Sequence, residues 1–447
     1  MKISILIMVS IFLFLFTSHH VFSQTEITFW TTQVDTQSIK IQENLAAKFQ
    51  ARHPSINIRI VPVDQSELPE KVNLAKLTQA LPDVILHPLI YTFGWIKEGI
   101  IDQQAATEII ESLGKETFYA TTLNFVSVNG GYAAVPVDGW GEFLIYRKDL
   151  LGEKGITRPD DWESIKKVAQ MTHNPPLLWG FEVPTAPESI HTQQVLENFA
   201  LSNNVHLIHP ETGQVNLNTP QFIATLRFYK NLSRFTPSGN VDWIHTKIDY
   251  LAGRCVMMVG PSTILGELVG LKIENPVLVK ELHQKTGFIG IIKGPEGKAQ
   301  YGRINCLSIT SSDKVEEAKN WVKYLLDDGY LSWLGMMAEG RFPARRGTRE
   351  KPEKFIEDWR NLNFSGTESA ISEYYQTPVL NSILSTVGNF HRWGLKSDKG
   401  ELIMRMYQLR IIPQVLKRYL DGDIFTAEKT ASLINDLVRE IENIVNR

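Results

Sequence analysis

The stretch YAAVPVDGWGEFLIYRKDLL, residues 132–151, brings two carboxylates and an indole together at Asp138, Trp140 and Glu142. Carboxylates accept paired hydrogen bonds from hydroxyl groups, and an indole offers a flat apolar plate. Around them, residues 132–137 and 143–146 suit a pleated sheet, whereas Asp138-Gly139 supplies a turn or kink between the two runs. Two readings are open at this point. One is an ordinary hairpin with a solvated aspartate and a core tryptophan. The other is a carboxylate and an aromatic plate presented where the chain crosses between two lobes.

Bond-making chemistry finds little support elsewhere. The chain carries no H-E-x-x-H, no G-x-S-x-G, no P-loop and no G-x-G-x-x-G. His206 and His209 form an H-x-x-H pair that would need further ligands to hold a metal, and they read as a surface loop. Asp160-Asp161 and Asp327-Asp328 suit helix ends better than acid–base work. Tyr374-Tyr375, a pair type that can bind ferric iron, reads as part of a helix face. The ten tryptophans are more telling, because Trp30, Trp140, Trp179 and Trp393 follow strands or turns instead of lying in helical stripes. Aromatic plates beside Asp, Glu, Arg and Asn suit a ligand with apolar C–H faces and many hydroxyls. Sugars have both.

The elements that must position these residues follow an α/β alternation. At 447 residues there is room for more than one domain, and 43% hydrophobic with 21% charged residues is ordinary for a globular protein. A net charge of −3 lacks the basic surplus of a nucleic-acid binder. Residues 1–23 pair Lys2 with a short apolar run and a small residue, Ser23, at a plausible cut. That pattern predicts a secretory signal peptide, with no cysteine for a lipid anchor and a mature protein that is exported and soluble. Cys255 and Cys306 could pair in such a compartment or remain two buried thiols. From residue 26 the chain reads strand, helix (with Ser38 as a cap), strand, helix, strand, which predicts a mainly parallel sheet with a ligand beyond its carboxyl ends. Asp160 and Glu163 read as a capping-box variant, and Thr219-Pro220 opens a further helix. Ala431, Ile434, Val438, Ile441 and Val445 form a last helical stripe.

The order of these segments resembles the extracellular solute-binding proteins of the maltose-binding type (family one), which serve ABC importers. The resemblance rests on ITFW with FQARHPSINIRIV, LPDVILHPLIYTFGWIKEGIID, AAVPVDGWGEFLIYRKDLL, RPDDWESIKKVAQ, VNLNTPQFIATLRFYKNL, YLAGRCVMMVGPS, and INCLSITSSDKVEEAKNWVKYLL followed by GRFPARRG. It implies a two-lobe periplasmic-binding-protein fold of α/β class, each lobe a mainly parallel sheet flanked by helices, with a hinged central cleft. Lobe one would hold residues 24–137 and about 300–342, and lobe two 142–296 and about 348–447. Hinge crossings would fall near 138–141, 297–302 and 343–347. The resemblance implies Asp35, His87, Tyr91, Asp138, Trp140, Glu182, Glu188, Ser262, Arg303 and Trp393 as ligand-binding residues. Ser262 stands where many relatives place a tryptophan, which argues against a linear maltodextrin. No cofactor, metal or catalysis is implied. The expected partners are a small sugar or glycoside and the permease subunits of an importer, with the protein a periplasmic monomer. Two alternatives stay open. One is the same fold with an anionic ligand such as a sugar phosphate or an iron complex, for which Arg303, Arg341 and Arg345 are available. The other is an exported carbohydrate-active enzyme.

Overall fold

Three β-rich segments near the start of the described chain, Thr25–Thr31, Ile56–Pro62 and Val84–Pro88, pair in parallel, with Thr25–Thr31 in the middle. The computed structural model describes residues 24–271, 276–310, 313–394 and 399–446; the expected signal peptide, 1–23, lies outside them. Helices return the chain between these strands. The first, Thr36–Arg52, buries Leu45, Ala46 and Phe49 against the sheet, and Trp321 of the helix Val315–Leu326 meets Phe49 edge-on at 5.3 Å. Its cap is Asp35, whose side chain accepts from the Ser38 N–H at 2.9 Å, so the expected cap at Ser38 falls three positions too late. Likewise the capping box before Trp162 is made by Asp161 and Ser164, not by Asp160 and Glu163.

Two long strands join this lobe to a second one. Val135–Arg147 is a single strand of 13 residues, not two strands around a turn. Its first half pairs antiparallel with Lys298–Ile309, which in turn pairs antiparallel with Val84–Pro88. Its second half leaves that sheet and pairs antiparallel with Met257–Pro261 on one side and Thr286–Ile289 on the other. Lys298–Ile309 divides in the same way: residues 298–301 pair with Ile292–Lys293 and with Phe390–His391, while 302–309 belong to the first lobe. Both strands therefore cross between lobes side by side, with Gly302 opposite Gly141 and Arg303 opposite Trp140.

Glycine at the crossing is a packing requirement. A Cβ on Gly302 would stand 2.0 Å from Cγ of Phe390. Gly302→Ala should therefore cost about 1–3 kcal/mol through overpacking, read by urea unfolding. Adding Phe390→Ala should recover part of that cost, and a Gly302→Ala protein as stable as the parent would show that the ring does not press on the crossing.

The segment 343–347 packs on the first lobe. There Arg345 donates to the carbonyls of Leu113 and Leu326 and to Thr117, and the Trp359 indole donates to the carbonyls of Ala338 and Arg341, all within the first lobe. Contacts with the second lobe include Gly340 against Thr263, Phe364 against Gly266, and Tyr375, whose hydroxyl donates to the Leu265 carbonyl at 2.9 Å. Later still, the helix Gly400–Leu409 touches both lobes. Gly400 lies against Phe93, and Met404 enters a first-lobe cluster with Val63, Leu68, Tyr91 and Trp95. Ile403, Met406 and Tyr407 join the main core together with Ala431, Ile434 and Val438 of the last helix, Ala427–Val445. Cys255 and Cys306 are both free and buried, Cys255 just ahead of the Met257–Pro261 strand and Cys306 within Lys298–Ile309.

Candidate functional site

The crossing strands place Asp138, Trp140, Asn305 and Arg303 at one junction. Asp138 is fully buried. Asn305 donates to its Oδ1 at 2.6 Å, and the Trp333 indole and Arg341 donate to its Oδ2 at 2.7 and 2.8 Å. Both oxygens are thus engaged by protein groups, and the side chain ties the crossing to the segment 333–341.

Trp140 is half-buried and carries the Arg303 guanidinium over its ring, 4.6 Å from the centroid. Tyr91, on the short turn after Val84–Pro88, is buried and stacks on Trp95 at 5.2 Å. Burial raises the Tyr91 hydroxyl's pKa, and Arg303 partly counters the shift. Two residues past Trp140, Glu142 is buried with Oε2 unpartnered among the described residues; its other oxygen lies 4.0 Å from Nδ1 of His191. Burial pushes the Glu142 carboxyl up to about 8 against the pull of Arg303, and pushes His191 down to about 4.

A cavity of 120 Å³ opens on this junction, lined from one lobe by Gln65 and by Pro88 to Tyr91, and from the other by Ile190, Gln194 and Arg392. Tyr301, Arg303 and Ile304 of the crossing strand and Tyr407 of the bridging helix complete it. Its volume is of the scale of the engineered ~150 Å³ site that accepts a single six-carbon ring. Arg392 is already paired. It donates to Glu197 at 3.2 Å and to the Tyr407 hydroxyl at 3.0 Å, and lies over the Tyr301 ring at 4.5 Å; Tyr407 in turn donates to Glu197. That network fixes the wall between the helix Ile190–Ser202 and the bridging helix.

A family model for bacterial extracellular solute-binding proteins matches residues 44–362. The chain belongs to that family. Among curated relatives, YcjN of Escherichia coli (strain K12), named for the periplasmic-binding component of an ABC transporter, is 29% identical over 332 residues, covering 72% of this chain and 74% of YcjN. The sugar-binding protein MalE from Xanthomonas citri superposes with a TM-score of 0.72 at 18% identity, over 93% of this chain and 97% of its own. An ABC transporter solute-binding protein from Thermotoga lettingae, solved with α-D-tagatose, does so at 0.70 and 15% identity, over 94% of this chain and 100% of its own. These likenesses show the two-lobe fold of the maltose-binding type. As in the family, the chain is a binding protein, and among the described residues no helix is long and apolar enough to cross a membrane.

Within this solute-binding fold the residues named from sequence separate into two groups. Tyr91 and Arg303 line the cavity, and Trp140 supports Arg303 from behind. Ser262 is buried just beyond the Met257–Pro261 strand with Oγ unpartnered among the described residues. The others sit elsewhere. Asp35 caps its helix, and Glu188 is exposed ahead of Ile190–Ser202. His87 is fully buried, with its ring nitrogens bonded to the Pro88 carbonyl at 2.9 Å and to Ser308 Oγ at 2.8 Å; burial pushes its pKa down to about 4. Glu182 is buried in the second lobe near Asp249 and Arg254, and burial pushes it up to about 9. Trp393 is a core residue, its indole donating to the Val205 carbonyl at 2.9 Å. Sequence reasoning missed Gln65, Gln194, Tyr301 and Tyr407. Tyr301 could have been found, since it flanks Gly302-Arg303 on the crossing strand. The amides and Tyr407 carry no pattern that separates them from any other helix or loop residue.

Proposed function

We propose that this solute-binding protein captures a small carbohydrate, of about one ring in size, and delivers it outside the cytoplasm to the membrane permease of an ABC importer. The observation that carries this reading is the 120 Å³ cavity whose wall is shared by both lobes and by the strand that crosses between them. A ligand held there touches Tyr91 of one lobe and Gln194 of the other at once. Only the closed arrangement offers both sets of contacts, so the ligand's differential affinity drives closure about the crossings. The lining suits hydroxyls: a guanidinium, phenols and amides around apolar Ile90, Ile190 and Ile304. The tagatose bound by the Thermotoga lettingae protein supports a ligand of this size. The absence of an aromatic plate at Ser262 agrees with a short ligand. Capture and release leave the ligand chemically unchanged, and the protein acts as a monomer.

Calorimetry against single-ring sugars, polyols and maltodextrins tests the proposal. Binding of a single-ring ligand, with a smaller radius of gyration by X-ray scattering when it is bound, supports it. Preference for a long maltodextrin, or turnover of any carbohydrate, would overturn it. Trp140→Ala should weaken the binding that is found by roughly tenfold, because Arg303 loses its platform. Its far-UV circular dichroism should match the parent. Unchanged affinity would show that the plate does not matter.

A further inference from the structure

The charges around the cavity do not balance. Two guanidinium groups line it, Arg303 and Arg392. Arg392 is compensated by Glu197 at 3.2 Å. Arg303 is not: among the described residues no carboxylate lies within ion-pair distance of it, and it rests on the Trp140 ring. The acids of the crossing strand are unavailable. Asp138 is taken by Arg341, Trp333 and Asn305. Glu142 is held in the acid form by burial at neutral pH, so it adds no negative charge. His191, the other titratable group beside it, stays neutral there. The cleft thus carries one uncompensated positive charge in a protein whose overall charge is −3.

Closing two lobes over an unpaired cation is costly, because the group loses water and gains no counter-charge. A neutral sugar would leave that cost in place. Resting on the carbohydrate reading above, we propose that the ligand is a sugar monoacid, a uronate or aldonate, whose carboxylate takes the planar edge of the Arg303 guanidinium while its hydroxyls meet Gln194, Tyr91 and Gln65. The planar fork of arginine matches a carboxylate in two parallel hydrogen bonds, and stacking on Trp140 fixes that plane in advance. A phosphate dianion fits less well, since the second cation of the cavity is already spent on Glu197.

The test is calorimetry of the full exported chain with D-glucuronate, D-galacturonate and D-gluconate beside D-glucose, D-galactose and D-mannitol, repeated with Arg303→Gln and Arg303→Lys. The expected result is an acid bound at least about tenfold more tightly than its neutral counterpart. Arg303→Gln should lose that advantage, so that acid and neutral counterpart bind alike, and Arg303→Lys should recover part of it. Neutral sugars bound as tightly as the acids would overturn the proposal and leave the carbohydrate reading standing. So would acids bound by Arg303→Gln as they are by the parent. If no carbohydrate of either set binds, both readings fall.

Discussion

Asp138→Ala should lose about 3–5 kcal/mol of unfolding free energy, because it strands a buried guanidinium. The wild-type carboxylate is fully buried and receives Arg341 at 2.8 Å, the Trp333 indole at 2.7 Å and Asn305 at 2.6 Å. Alanine would leave all three donors facing a gap and Arg341, itself buried, without a counter-charge. Asp138→Asn separates the contributions. Its amide can keep an oxygen toward Arg341 and Trp333 and turn its nitrogen toward the oxygen of Asn305, so the bonds survive and only the charge goes. The asparagine variant should be less damaged than the alanine variant and should bind solute with little change. Urea unfolding and calorimetry on the pair check this. Equal damage in both variants would assign the whole effect to charge. Loss of solute affinity in a stable Asp138→Asn would make the carboxylate a ligand contact after all.

The case of Asp138 shows where sequence reading works and where it stops. Local patterns identified the three parallel strands and the helix stripe through Ala431 and Val438, because one buried face imposes its period on the residues themselves. The segment VDGWGE announced something unusual, and it does lie at the crossing. The role of each residue in it was not legible, because the partners are remote: Arg341 reaches Asp138 across 203 positions. Asp138-Gly139 imitates a turn, yet the glycine is there because Arg303 O would stand 2.3 Å from a Cβ. Trp393 illustrates the converse. A tryptophan after an irregular stretch reads as an exposed plate, but Phe222 and the Val205 carbonyl enclose it from segments 171 and 188 residues earlier. Tyr407 was invisible for a third reason. It lies one turn from Met404 on a helix that is apolar toward both lobes, so a cavity-lining phenol and a core phenol look alike.

Glu142→Gln should change how stability responds to pH, and the sign follows from proton counting. In the folded protein burial keeps Glu142 protonated to about 8, whereas the unfolded chain releases the proton around the ordinary 4.5. Between those values the folded state holds more protons, so the contribution is fully present below about 4.5 and is lost as pH rises through about 8. At about 1.4 kcal/mol per pH unit, the loss across that window is on the order of 5 kcal/mol. Glutamine has the shape of the protonated acid and does not titrate, so the variant should gain on the parent steadily between pH 5 and 8. Glu182, raised to about 9, adds a fall of the same sign, and His87 and His191, lowered to about 4, act oppositely in the acid range. All three are present in both proteins, so their contributions cancel in the difference. Urea unfolding of parent and variant at pH 5, 7 and 9 measures it. Parallel curves would mean that Glu142 is already ionised at neutral pH. A negative charge would then stand near Arg303, and the physical reason for an acidic ligand would weaken with it.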